Sequence, residues 1–441
     1  MSTPAAEKRL HGVRQLLTQA HERLALQFGF VLWDGSTVPA DLASEALAIA
    51  IADEGVVASL IRRPNLDTLV NLWASARFDI RNGTFFDIAE RRPKARTRAV
   101  LRGEMLDRGL AVRTALRFLF VPRGGPWPLE DIKPDRPSSG DPEENKRNIH
   151  FHYDLSNKFY SLFLDPEMGY TCGYYHDWNQ DLATGQRNKF DHICRKLRLK
   201  PGETMLDIGC GWGGLMCHAA QNYGVIAHGV TLAEQQAAWV REKTARLGLA
   251  GRVTVELNDY TAVQGQFDKI SQIEMFEHVG IANHPTFFRT VHRLLKPDGL
   301  YLHQATTRVA KKDDKTFNRK RPELKVVTRY LWPGAEFDHI GMTLTNLERY
   351  GFEVHDVEDW REHQARSFKL WHDHLYEVRD TAEREVGPVN VRMFLAWFAA
   401  CSIVLARADA FLFQTLASKR RRGASGLPPT RADLYRPREP A

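Results

Sequence analysis

Cysteine is scarce. The 441 residues contain five, Cys172, Cys194, Cys210, Cys217 and Cys401, with no Cys-x-x-Cys pair and no metal-knuckle spacing. That excludes a disulfide-stapled fold, gives no sign of a structural metal, and is the usage expected in a reducing cytoplasm. Long apolar runs are also missing: the most apolar stretch, Met393 to Ala406, covers about 14 residues where roughly 20 are needed to span a bilayer, so it reads as a buried helix. Met1 to Leu26 has no continuous apolar core of the kind a signal peptide carries, so the protein is expected to stay inside the cell. No internal repeat is present. An apolar share of 43% beside 26% charged residues excludes disordered and collagenous classes.

What is present is enough chain for two domains, since a domain averages roughly 150 residues, and an excess of 61 Lys and Arg over 54 Asp and Glu, a formal +7. The excess favours an anionic partner without choosing between nucleic acid and a phospholipid surface. Residues 1–120 mix helical periodicity with short apolar runs, read as a smaller mixed domain. Val121 to Asn148 concentrates Pro, Gly, Ser and charge and reads as a linker. From 149 to 418, short strands (ETMLDIG, IAHGVTL, RVTVELN, FDKISQIEM, GLYLHQAT) alternate with helices, which predicts a doubly wound α/β sheet. A basic surface excursion is expected at Arg308 to Arg329, then a strand near Glu353 to Val357, helices through Lys419, and a disordered basic tail over 419–441.

Met205-Leu206-Asp207-Ile208-Gly209-Cys210-Gly211-Trp212-Gly213-Gly214 runs an apolar strand through an acid into a glycine turn and a helix start. Glycines let the backbone approach a ligand, and the amides at a helix N-terminus favour an anion. The spacing is G-x-G-x-G, unlike the dinucleotide pattern G-x-G-x-x-G, and Asp207 is placed to meet an ammonium group. A ligand carrying both charges is implied, and S-adenosylmethionine fits: its carboxylate on Gly209, Cys210, Gly211, Trp212 and Gly213, its amine at Asp207. Thr231, Leu232 and Gln236 then fall near the ribose, and Asp259 with Tyr260 near the adenine, at carboxyl ends of strands.

Upstream lie His152-Tyr153-Asp154-Leu155-Ser156-Asn157, Leu164-Asp165-Pro166 and Tyr170-Thr171-Cys172-Gly173-Tyr174-Tyr175; downstream lie Met275-Phe276-Glu277-His278-Val279-Gly280 and Trp332-Pro333-Gly334. With the glycine turn, this set closely resembles the cyclopropane-fatty-acyl-phospholipid synthases and mycolic acid methyltransferases, over roughly Asn148 to Leu416, and more weakly their lipid-associated N-terminal domain. The resemblance implies a class I, Rossmann-like methyltransferase fold with Tyr170 and Thr171 at the cofactor. It further implies a reaction in which an acyl alkene takes the sulfonium methyl, a carbocation forms, and bound bicarbonate removes a proton so that a ring closes. A carbocation requires a dry pocket with one aimed base, and Tyr170, Tyr174, Trp212 and Phe276 are candidate faces for its charge, at about 1 to 2 kcal/mol each when desolvated. By motif match the bicarbonate ligands fall on Cys172, through its carbonyl, Glu277 and His303. Glu277 is read as ending a buried strand, where a carboxylate needs a partner such as bicarbonate or His303. His303 is read as standing at the carboxyl end of the fifth strand. Nothing near Cys172 marks it as a nucleophile.

Three departures fall on the bicarbonate site and leave the methyl-donor site intact. Ala305 replaces an Ile, Glu274 replaces a Gly, and Gln364, in His363-Gln364-Ala365-Arg366-Ser367-Phe368, stands where the family places a bicarbonate-binding Tyr; Gln lacks the phenolic proton. Methyl transfer is therefore expected more firmly than ring closure. If Glu274 points into the acyl pocket it is placed to take a proton from another carbon, leaving a methylated alkene or an exocyclic methylene; the alternative is that it faces solvent or a surface Lys. The acyl substrate implies peripheral attachment to the anionic inner face of the membrane, through Arg91 to Arg98 or Lys311 to Lys325, and the resemblance implies a homodimer. Rival readings are a methyltransferase of a soluble amine or small metabolite and a non-catalytic lipid-binding protein. A nucleic-acid enzyme lacks its Asn-Pro-Pro-Tyr signature and basic aromatic platform.

Overall fold

The computed structural model describes residues 3–91, 107–133, 136–153 and 155–435. Asp154, most of the basic run Arg91 to Arg98, and the last six residues lie outside them. The chain forms two compact units, Met1–Lys133 with Gly387–Ile403, and Pro134–Val386 with Val404–Ala441.

The first unit begins with α1 (Pro4–Leu24), whose first turn is capped by the Thr3 hydroxyl. There follow β1 (Gly29–Val31), β2 (Thr37–Val38), β3 (Ala48–Ile51), α2 (Glu54–Arg62), α3 (Leu66–Ala74), β4 (Phe78–Arg81), α4 (Phe85–Glu90) and α5 (Arg108–Arg117). The strands make a mixed sheet in the order β2-β1-β3-β4. Its core joins Val13, Leu32, Ile51, Val56, Leu72, Phe118 and Val121. The expected linker is therefore shorter than its composition suggests: Val121 is buried in this core, the Leu129 amide is held by Asn71, and Pro142 to Tyr153 is helical.

In the second unit come α6 (Pro142–Tyr153), α7 (Asn157–Ser161), α8 (Leu182–Lys196), β5 (Thr204–Ile208), α9 (Gly214–Tyr223), β6 (Ile226–Thr231), α10 (Glu234–Arg246), β7 (Val253–Leu257), β8 (Phe267–Ile273), α11 (His284–Leu294) and β9 (Leu295–Arg308). Two short helices, α12 (Asp314–Asn318) and α13 (Pro322–Tyr330), carry the expected basic surface excursion, followed by α14 (Ile340–Arg349), β10 (Phe352–Asp359), α15 (Arg361–Glu377), α16 (Arg379–Val386), α17 (Pro388–Ala406), β11 (Ala410–Lys419) and α18 (Ala432–Tyr435). The seven-stranded sheet runs β10-β11-β9-β8-β5-β6-β7, with β11 antiparallel to both neighbours. The order reverses between β5 and β8, and the carboxyl ends of those strands open the crevice where open α/β sheets bind ligands.

Three sequence expectations are corrected. Ala410 to Lys419 is a strand, where a helix was expected; lying between β9 and β10 with Gln414 and Thr415 buried, it shows no two-residue alternation to betray it. The catalytic segment is not continuous, because α17 contributes Gly387–Ile403 to the first unit, where Arg392 donates to the Trp73 carbonyl at 2.6 Å and stacks on that ring. This helix has 19 residues, five more than the apolar run, so by length and composition it suffices to cross a bilayer, and half of its apolar window is buried in the protein. The tail is ordered through Tyr435: Arg431 pairs with Asp356, Arg198 with Asp433, and Leu434 is buried.

Candidate active site

The cavity at the β5–β8 switch point has a volume of about 170 Å³. Every residue assigned from sequence to the cofactor lines it except Gly213: Tyr170, Thr171, Asp207, Gly209, Cys210, Gly211, Trp212, Thr231, Leu232, Gln236, Asp259 and Tyr260. Gly213 instead caps α9 with a φ of +76°. Gly209 has a φ of +77°, and a Cβ there would stand 2.8 Å from the Cβ and Cγ of Met275, so the turn can be built only without a side chain. Asp207 is buried in β5 and accepts from Ser271 Oγ at 2.6 Å; burial pushes its carboxyl up to about 6, against the pull of that hydrogen bond and of Lys189. A buried carboxylate held so far above its usual range is one that a ligand's cation would relieve. The Thr231 hydroxyl donates to Gln236 Oε1 at 2.8 Å, and Asp259 caps the turn after β7 through Thr261. Trp212 is fixed by its indole N–H on Asn157 Oδ1 at 2.8 Å.

Glu274 is the chemical surprise. It follows β8 with a φ of +54° and lines the cavity, partly buried, and among the described residues no surface lysine pairs with it. Its Oε1 accepts from the Cys172 amide at 2.9 Å and from Gln304 Nε2 at 2.7 Å, and its Oε2 accepts from Gln364 Nε2 at 2.9 Å. Burial raises its pKa, opposed first by the Cys172 amide and then by Lys189, Gln304 and Gln364. Gln364 Nε2 also lies 3.3 Å from Thr306 Oγ1, and the Thr306 amide donates to Glu277 Oε1 at 2.6 Å. Cys172, Glu274, Gln364, Thr306 and Glu277 are thus one hydrogen-bonded chain.

The remaining sequence assignments sit behind the cavity wall. Glu277 is not at a strand end but on a single 3-10 turn, Phe276–His278; its partner is the Thr306 amide, its Oε2 has none, and burial followed by repulsion from Glu274 pushes its pKa up to about 8. His303 lies inside β9, which continues to Arg308, and is enclosed by Phe276 and Phe288 with Nδ1 on the Tyr301 hydroxyl at 2.8 Å. Burial lowers its pKa to about 3. The Cys172 thiol donates to the Gly173 carbonyl at 3.1 Å and burial pushes its pKa well up, which leaves no thiolate. Of the four aromatic candidates, Tyr170 and Trp212 reach the cavity, whereas Tyr174 packs on His192 and Trp360 and Phe276 packs in the core. Ala305 is buried in that core too.

Sequence reading missed Lys189 and Gln304. Lys189 lies on the cavity wall with Nζ on Thr171 Oγ1 at 2.6 Å, and its charge acts on Glu274, Asp165 and Asp207. Its signal was the spacing of α8, where Gln186, Lys189 and Lys196 recur on the face that carries Leu182 and Ile193. Bicarbonate does not fit the residues present: the Cys172, Gln304 and Gln364 donors are spent on Glu274, His303 is sealed among aromatic rings, and a further anion would meet two carboxylates, Glu274 and the buried Glu277.

A sheet of this order, with a glycine turn after its first strand and a buried acid beside it, defines a class I S-adenosylmethionine-dependent methyltransferase. Residues 141–415 match the mycolic acid cyclopropane synthetase family, and the chain belongs to it. It is 35% identical to a probable fatty acid methyltransferase of Pseudomonas putida over 70% of this chain and 78% of that protein. It is 33% identical to the cyclopropane-fatty-acyl-phospholipid synthase of Escherichia coli K12 over 61% of this chain and 66% of that one. Among solved structures, mycolic acid cyclopropane synthase CmaA1 complexed with SAH and CTAB superposes with a TM-score of 0.58 at 30% identity, covering 62% of this chain and 97% of the other.

Proposed function

We propose that the protein transfers the methyl group of S-adenosylmethionine to a double-bond carbon of an unsaturated acyl chain carried by a membrane phospholipid. The cofactor supplies an electrophilic methyl when bound. Asp207 receives its ammonium group, the Gly209 and Gly211 turn admits its carboxylate end, Thr231 with Gln236 faces the ribose, and Asp259 with Tyr260 the adenine. Phe190, Ile193, Leu215 and Val279 keep the neighbouring wall apolar, which protects a carbocation from water. Tyr170 and Trp212 offer ring faces to the positive charge.

The observation that carries the reading is the partly buried carboxylate of Glu274 at the wall of the cofactor cavity, held by three donors. A methylated amine sheds its proton to water unaided; a methylated alkene must lose a proton from carbon inside a dry site, which needs a base there. The names of the relatives, fatty acid methyltransferase and cyclopropane-fatty-acyl-phospholipid synthase, support an acyl substrate.

Attachment to the membrane is supported by α5 and the residues after it. Val112, Leu116, Leu119 and Phe120 are exposed, Phe120 almost wholly, beside exposed Arg113 and Arg117. An apolar stripe edged with arginine suits the interface of an anionic bilayer. Incubation with labelled S-adenosylmethionine and vesicles of monounsaturated phospholipid, followed by mass spectrometry of the released acids, tests donor and acceptor together. An acid 14 mass units heavier is expected; label that stays wholly in water-soluble products would refute the acyl reading.

A further inference from the structure

Two of the residues expected to cage an external base, Cys172 and Gln364, already hold a side chain. We infer that Glu274 is itself the proton acceptor of the reaction, a resident carboxylate that makes turnover independent of dissolved bicarbonate. The inference rests on the acyl-methylation reading and deepens it.

The geometry is that of a built base. Three donors from three separate segments converge on the carboxylate: the Cys172 amide before α8, Gln304 on β9 and Gln364 on α15. Two of the three are side-chain amides, and Gln304 is itself pinned, its Oε1 accepting from Gln414 Nε2 at 2.7 Å. Lys189 acts on the carboxylate with a positive charge, and Glu274 and Glu277 repel each other. Fixed hydrogen bonds hold the carboxylate still while the cavity lies against it, which is what proton abstraction from carbon demands. Oε2 carries one hydrogen bond from the protein, so a lone pair is left for the proton.

The step balances without another reagent. The alkene π pair forms the bond to the transferred methyl, and sulfur keeps the pair of the broken S–C bond. The adjacent carbon becomes cationic, and one C–H bond then breaks. Its pair closes a ring or a new double bond, its proton goes to Glu274, and Glu274 later releases that proton to solvent. Either product gains one CH₂.

The test uses the full chain, S-adenosylmethionine and monounsaturated phospholipid vesicles, in buffer stripped of carbon dioxide and in buffer with added bicarbonate. The wild type should turn over equally in both, within about twofold. Glu274→Gln should lose at least 100-fold in kcat, the range of general base catalysis, while titration calorimetry shows S-adenosylmethionine affinity within about threefold. Glu274→Gly, whose left-handed backbone suits glycine, empties the position and should recover turnover in proportion to added bicarbonate. A wild type that methylates lipid only when bicarbonate is present overturns the inference and leaves the acyl reading standing, as does a Glu274→Gln enzyme of near wild-type rate. If Glu274→Gln fails to bind the methyl donor, Glu274→Gly decides, and bicarbonate-insensitive full activity there overturns the inference. A wild type that methylates no lipid at all overturns both.

Discussion

Replacing Asp207 with asparagine should stabilise the ligand-free protein and cripple its binding of S-adenosylmethionine. Folding carries the carboxyl from 3.8 to about 6 by burial. Across that window the folded chain holds a proton that the unfolded chain has released, so stability falls as pH rises through it and the loss is complete above about pH 7. Roughly two pH units at about 1.4 kcal/mol each put the loss at about 3 kcal/mol. Asparagine keeps an acceptor for Ser271 Oγ and carries no charge. Urea unfolding should therefore show Asp207→Asn more stable than wild type by up to about 3 kcal/mol at pH 7.5 and equal to it at pH 4. The same variant loses a charged hydrogen bond to the ligand's ammonium group, worth about 1.5–3 kcal/mol, and calorimetry should find affinity down about 10- to 100-fold. Wild-type affinity should fall about tenfold from pH 7 to pH 5 as the carboxylate is protonated. Equal stability of the two proteins at pH 7.5, or a wild-type affinity flat from pH 7 to 5, would refute the assignment of Asp207 as a desolvated carboxylate awaiting a cation.

Gly209→Ala forces a side chain into a left-handed residue and against Met275, at about 1–2 kcal/mol for the backbone alone; calorimetry should show cofactor affinity reduced at least tenfold, and unchanged affinity would mean the turn can open. Lys196, fully buried, pairs with Glu358 at 2.5 Å and Asp356 at 3.1 Å. Lys196→Met should cost about 3–5 kcal/mol in urea unfolding, because it leaves the buried Asp356 and the partly buried Glu358 short of a partner, and a loss under 1 kcal/mol would contradict that. The double change Leu116→Asp and Phe120→Asp should weaken sedimentation with anionic vesicles at least tenfold, and roughly 0.5 M salt should weaken the wild type similarly. Binding indifferent to both would remove α5 from the interface.

Local chemistry made the donor site legible. An acid, four glycines and a helix start within ten residues can fold in few ways, and strand ends near Thr231 and Asp259 follow from the alternation of strands and helices, so composition and spacing placed most of the residues named for the cofactor on one cavity wall. The fate of Glu274 was not legible. Its neighbours Cys172, Gln304 and Gln364 lie 102, 30 and 90 positions away, and only the closed sheet with α15 packed over it determines whether a carboxylate after β8 meets solvent or three donors. The same holds for His303 and Phe276, which share the family motifs yet face the core because β9 continues past the cavity to pair with β11. Periodicity could not reveal β11, a strand buried on both faces, or the attachment of α17 to the first unit, since both depend on partners far along the chain. Sequence fixes what each backbone turn permits; burial, which sets how a carboxylate or an imidazole holds its proton, belongs to the tertiary structure.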